Sequence, residues 1–139
     1  MAETPVALVT GAARGIGLAT TMAFLARGWR VAMVDRDVRE LERVAAGLDP
    51  VLALPHDVSI PAQVDAMVAA TLGAFGRIDA LVNNAGVADF GPIAETDFAR
   101  WRRVMETNLD GVFLCSQAAT PALAASGGAI VNIASTACA

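Results

Sequence analysis

Thr10-Gly-Ala-Ala-Arg-Gly-Ile-Gly17 follows a short apolar run, Val6-Ala-Leu-Val9, and leads into an apolar stretch that stops near Gly28. A buried strand, a glycine-rich turn and a helix opening near Gly15 make the first half of a βαβ unit. Gly11 would allow the tight turn, Gly15 the close approach of backbone to a pyrophosphate, and Gly17 the close packing of helix on strand. The helix N-terminus then offers unpaired N–H groups and a partial positive charge to phosphate. Three glycines alone are also compatible with an ordinary tight turn. Their position between strand and helix favours the phosphate cradle.

The rest of the chain repeats this alternation. Arg30-Val-Ala-Met-Val34 reads as a second strand, and Val38, Leu41, Val44 and Leu48 form a helical stripe with Arg39, Glu40, Glu42 and Arg43 on its solvent side. Val51-Leu-Ala-Leu54 is a third strand, and Ser59 is the expected cap of a helix bearing Val64, Met67, Val68, Thr71, Leu72 and Phe75. Asp79-Ala-Leu-Val82 is a fourth strand. From Thr96 a longer helix is predicted to carry Phe98, Trp101, Met105, Leu109, Val112 and Phe113 and to stop by Pro121, before a fifth strand from Ala129 to Ile133. Phe98 and Trp101 are read as its buried face rather than as a substrate cage. Strands apolar on both faces, alternating with helices, imply a doubly wound α/β fold around a parallel sheet. Residues 1–139 would form one dinucleotide-binding domain that is incomplete at its C-terminal side, with only the fourth and fifth strands of the second half.

Composition narrows the function classes. A formal net charge of −4 argues against nucleic acid and anionic membranes as partners. No apolar run approaches the length of a membrane span. The opening Met-Ala-Glu-Thr-Pro lacks a basic region feeding an apolar one, so no secretory signal is expected. Cys115 and Cys138 form no disulfide framework, which fits reduced thiols and a cytoplasmic location. The one histidine, His56, and two cysteines cannot build a common zinc site. His56 reads as a flanking surface residue rather than an acid or base.

The spacing Gly-x-x-x-Gly-x-Gly after Thr10 resembles the short-chain dehydrogenase/reductase family, and four later segments strengthen the match. Asp57-Val58 is similar to the family's adenine-binding acidic site, and Asn83-Asn-Ala-Gly86 to the signature that holds the central sheet and lines the cofactor cleft. Asn108 in Thr107-Asn-Leu-Asp-Gly111 matches the helix asparagine, and Val131-Asn-Ile-Ala-Ser135 the strand bearing the active-site serine. The resemblance implies a Rossmann sheet and a cofactor site built from Thr10, Gly11, Arg14, Gly15, Ile16, Gly17, Asp35, Arg36, Asp57, Val58, Asn84, Ala85 and Gly86. Asp35 ends the second strand, where a carboxylate accepts hydrogen bonds from ribose hydroxyls and repels a 2′-phosphate. NAD is therefore expected over NADP. Arg14 and Arg36 argue the other way, since family members that select NADP often place arginine there.

The resemblance also implies hydride transfer between the nicotinamide and a secondary alcohol or ketone. In that scheme Ser135 hydrogen-bonds the developing oxyanion, Asn108 holds a relay water, and a Tyr-x-x-x-Lys pair moves the proton. The sequence has no tyrosine, and all ten basic residues are arginine. Two expectations follow: an N-terminal part of a longer enzyme, or a truncated, catalytically inert dinucleotide-binding module. The 139 residues alone are expected to be inactive. A methyltransferase on a similar sheet would not explain Asn83-Asn-Ala-Gly86 followed by Ser135. The resemblance leaves the substrate open and implies a homo-oligomer, tetramer or dimer, when the protein is complete, formed through the helix between Thr96 and Pro121 together with the helix that would carry the tyrosine.

Overall fold

The computed structural model describes residues 3–135. Val6–Thr10 (β1) is buried at every position, as its apolar character on both faces requires. It lies at the centre of a five-stranded parallel sheet with Arg30–Asp35 (β2), Val51–Pro55 (β3), Ala80–Asn83 (β4) and Ala129–Asn132 (β5), in the order β3-β2-β1-β4-β5. The helices are Gly15–Leu25 (α1), Val38–Ala45 (α2), Pro61–Phe75 (α3), Phe98–Met105 (α4) and Gly111–Ser126 (α5). This is the doubly wound arrangement that the alternation predicts.

Successive strand residues point to opposite faces, so the sheet has two cores. Leu8, Ala32, Val34 and Leu81 meet Val64, Met67 and Val68 of α3 and Cys115, Ala119 and Leu123 of α5. Ala7, Val9, Val31 and Met33 meet Leu41 of α2, with Leu18, Phe24 and Leu25 of α1 packed alongside. Each fully buried Leu or Met side chain stabilises the fold by roughly 1.5–3 kcal/mol. Both faces of β1 draw on this, which makes its carboxyl end a rigid platform for the glycine turn.

Three local expectations need correction. Ser59 does not cap α3. Ile60 precedes a Pro61 at the first helical position, and the Ser59 N–H and hydroxyl both donate to Asp57 Oδ1, at 2.9 and 2.7 Å. The long helix does not stop by Pro121. It breaks earlier, in a π-helical segment at Glu106–Asp110, and α5 then runs through Pro121 because Cys115, Ala119 and Leu123 hold it to the core on either side. Phe98 and Trp101 are not a buried face: they are 74% and 44% exposed and stack on each other with centroids 5.7 Å apart. The apolar stripe has the right period, but the core lies on the other side of the helix. There Gly111, Cys115, Ala119 and Leu123, four residues apart, are the buried residues of α5.

Candidate functional site

The β1–β4 boundary is where the strand order reverses, and in such sheets the crevice beyond the strand ends is the binding position. Thr10 builds it. Its buried hydroxyl donates to Val82 O at 3.3 Å and accepts the N–H groups of Asn84 and Ala85, each at 3.0 Å. The Asn84 amide returns two hydrogen bonds, to Thr10 O (3.1 Å) and Gly11 O (3.2 Å). The glycine turn and the segment after β4 are thus clasped together. Gly11 has φ +64, and a Cβ there would meet Ala85 Cα at 2.9 Å. A Cβ on Gly17 would lie 2.0 Å from Gly11 O, so no side chain fits.

Asn83 completes the clasp on the other side, donating to Ser116 Oγ (3.1 Å) and Asn132 Oδ1 (2.9 Å), and so ties β4 to α5 and β5. Asn132 is opposite Asn83 in the ladder, and Ile133 N–H donates to Asn83 O at 3.0 Å. Ser135 follows on this carboxyl edge, exposed. Cys138 lies outside the described residues.

The cleft itself, about 520 Å³, is lined by Gly11, Arg14, Ile16, Asp35, Arg36, Asp57, Val58, Asn84, Ala85 and Gly86 among the expected residues. Val34, Asp37, His56, Val87 and Thr107 line it as well. Thr10, Gly15, Gly17, Asn108 and Ser135 lie outside this lining. For Thr10 the reason is that its hydroxyl is used up inside the clasp, so it shapes the cleft through Asn84 and Ala85. The amide of Asn108, inside the π-helical segment, pairs with both backbone polar groups of Val87, accepting its N–H and donating to its carbonyl, each at 2.8 Å. His56 reaches the cleft rim with its Nδ1 buried and unpartnered among the described residues.

At the outer end, Asp35 accepts the Ala13 N–H (3.1 Å) and the Asp37 N–H (3.0 Å), fixing the turn to the end of β2. Asp37 caps α2 through Glu40 N–H and pairs with the Arg14 guanidinium. The Glu40 N–H, then Arg14, hold the Asp37 carboxyl below its ordinary value. The pattern Asp37-x-x-Glu40 signals a helix cap in the sequence and could have drawn attention to Asp37. Nothing local marks Val87 or Thr107.

The arrangement fits a dinucleotide. Gly15, with φ +55, leaves open space where a Cβ would point, at the start of α1 whose N–H groups suit phosphate. Carboxylates stand where β2 ends, and the small residues Ala85 and Gly86 lie between. Among the described residues no helix is long and apolar enough to cross a membrane.

Comparison with known proteins agrees. The family profile described as short chain dehydrogenase matches residues 5–139. A 2-(R)-hydroxypropyl-CoM dehydrogenase of Xanthobacter autotrophicus is 44% identical over 95% of this chain and 56% of its own length. D-threitol dehydrogenase of Mycolicibacterium smegmatis is 44% identical over 95% of this chain and 53% of its own. The crystal structure of a 3-ketoacyl-(acyl-carrier-protein) reductase from Brucella melitensis, complexed with NADH, superposes with a TM-score of 0.90 at 38% identity, over 96% of this chain and 58% of that one. The chain spans about half the length of the curated relatives it matches. On the glycine turn, the clasp and these matches, the chain belongs to the short chain dehydrogenase family.

Proposed function

We propose that the complete protein is a nicotinamide-dinucleotide-dependent oxidoreductase that interconverts a secondary alcohol and a ketone, with NAD preferred to NADP. One observation carries the reading: the clasped glycine turn opens on a cleft at the strand-order reversal, with Asp35 at the far end of the lining. Relatives named for D-threitol, galactitol and meso-2,3-butanediol support an alcohol as substrate. The family and the NADH-complexed neighbour support the cofactor class. When bound, the nicotinamide supplies the hydride donor or acceptor.

The chain's own residues hold and polarise. The α1 N-terminus and the Gly11–Gly17 turn hold phosphate, Asp35 orients ribose hydroxyls, and Asp57 with Val58 borders the adenine end. Ser135 donates a hydrogen bond to the substrate oxygen where negative charge develops. Asn108, through Val87, fixes the wall beyond Gly86. Proton transfer is assigned to a Tyr-x-x-x-Lys pair in a longer protein, since neither residue type occurs in these 139 residues. A second reading, a dinucleotide-binding module without hydride transfer, rests on the cleft alone. A cytoplasmic location accords with Cys115, a free thiol pushed up to about 12 by burial and so kept unreactive. Assembly with further copies is supported by the exposed Trp101, Leu109 and Phe113.

The test uses the full-length protein. It should bind NADH by calorimetry and reduce NAD when offered secondary alcohols. Ser135→Ala should lower kcat about 10²-fold or more while nucleotide affinity is kept. An unaltered rate would assign the charge-stabilising donor elsewhere, and NADH binding without any turnover would favour the inert module.

A further inference from the structure

Two cations, Arg14 and Arg36, and two carboxylates, Asp35 and Asp37, share the ribose end of the cleft. Their partners differ. Arg36 is exposed and has no ion pair among the described residues, whereas Arg14 is paired with Asp37. We infer that Asp37 is a positioning residue for cofactor choice: by tying down the Arg14 guanidinium it withholds a cation that would otherwise meet a 2′-phosphate. This rests on the reading of the cleft as a nicotinamide-dinucleotide site.

The local architecture makes the restraint specific. Asp35 holds the Ala13 N–H with one carboxylate oxygen and the Asp37 N–H with the other, so Ala13, next to Arg14, and Asp37 itself share one anchor. One Asp37 oxygen accepts the Glu40 N–H at 3.1 Å, which fixes the plane of the carboxylate, and the other takes Arg14. The carboxylate is oriented by the helix cap, and the guanidinium follows it. Asp35 acts on the ribose through its own charge; Asp37 acts through Arg14. Because the pair is solvent-exposed, the expected effect is a modest shift in preference.

The test is calorimetric binding of NADH and NADPH, and of AMP and adenosine 2′,5′-bisphosphate, to the full-length protein and its variants. Asp37→Asn removes the charge and keeps a good helix cap, because Asn caps as well as Asp. It should shift the affinity ratio toward NADPH by about two- to fivefold, with the same shift in the half-ligand pair. In an Arg14→Gln background the same substitution should move the ratio by less than about half that amount on a logarithmic scale. An unchanged ratio in Asp37→Asn overturns the inference. So does an equal shift in both backgrounds, because Asp37 would then act by its own charge. A wild-type protein that prefers NADPH would overturn the NAD assignment alone, since the inference is read from the shift. Failure to bind either nucleotide overturns both.

Discussion

Gly17 shows how far single residues decide this site. A methyl group there would sit 2.0 Å from Gly11 O and 2.6 Å from Asn84 Nδ2, inside the clasp itself. The obstacle is backbone, which cannot swing aside like the tip of a side chain. Gly17→Ala should therefore cost roughly 2–3 kcal/mol in urea unfolding and weaken NADH binding by about tenfold or more. Near-normal values of both would mean that the turn yields more easily than its packing indicates. The glycine pattern was legible from the sequence because each glycine answers a local backbone requirement. The work of Thr10 was not, because the groups its hydroxyl binds lie more than 70 residues away, at Val82, Asn84 and Ala85. Asp37 was partly legible: its cap follows from spacing, while its hold on Arg14 depends on how β2 meets the turn.

Among the elements, the strand starts depend on one carboxylate. Asp79 Oδ2 accepts the Val6 N–H at 2.8 Å, and both its oxygens bind Arg77, while its backbone carbonyl accepts the Ala129 N–H at 3.0 Å. It thus ties β1 to the turn before β4 and to the start of β5. Burial pushes its carboxyl up, but the Arg77 and Val6 hydrogen bonds outweigh this and leave it below 3.8. A depressed folded value gives stability that is present above about pH 4 and is lost as pH falls through that folded value. Asp79→Asn should cost about 2 kcal/mol near neutrality, and its deficit should shrink on acidification below about pH 4 in urea titrations. A pH-independent deficit would show that the charge on Asp79 contributes nothing. The α5 stripe carries a related lesson. Large apolar residues at helical spacing mark a face that needs covering, and here the smaller residues Gly111, Cys115 and Ala119 let the helix approach the core. A sequence gives the period of such a helix more readily than its direction.

At the scale of the whole molecule, the apolar surface left exposed is concentrated in the second half. Phe98, Trp101, Leu109 and Phe113 are exposed along α4, the π-helical segment and α5, and Ile130 and Val131 on β5, the edge strand of the described sheet. The proposed assembly with further copies would bury the first group. Phe113→Arg in the full-length protein should lower the assembled mass measured by light scattering with circular dichroism unchanged. Met22→Arg, also at an exposed position, on α1, should leave the mass as it is. Unchanged mass in Phe113→Arg would remove this face from the interface.

The π-helical segment between α4 and α5 has a consequence for how this chain tolerates change. Each residue in an α-helix adds about 100° of rotation, so a wide turn of this kind sets the phase between the helices it joins. Substitutions within Glu106–Asp110 leave that phase alone, whereas deleting one residue would reset it. With α5 held to the core by Cys115, Ala119 and Leu123, the rotation would fall on α4, carrying Arg100 away from Asp89 and the Phe90 carbonyl that it holds. Apart from Thr107, which lines the cleft, and Asn108, which holds Val87, the segment can therefore drift in composition more freely than in length. Library design at this site should keep those two residues and the number of positions, and vary the rest.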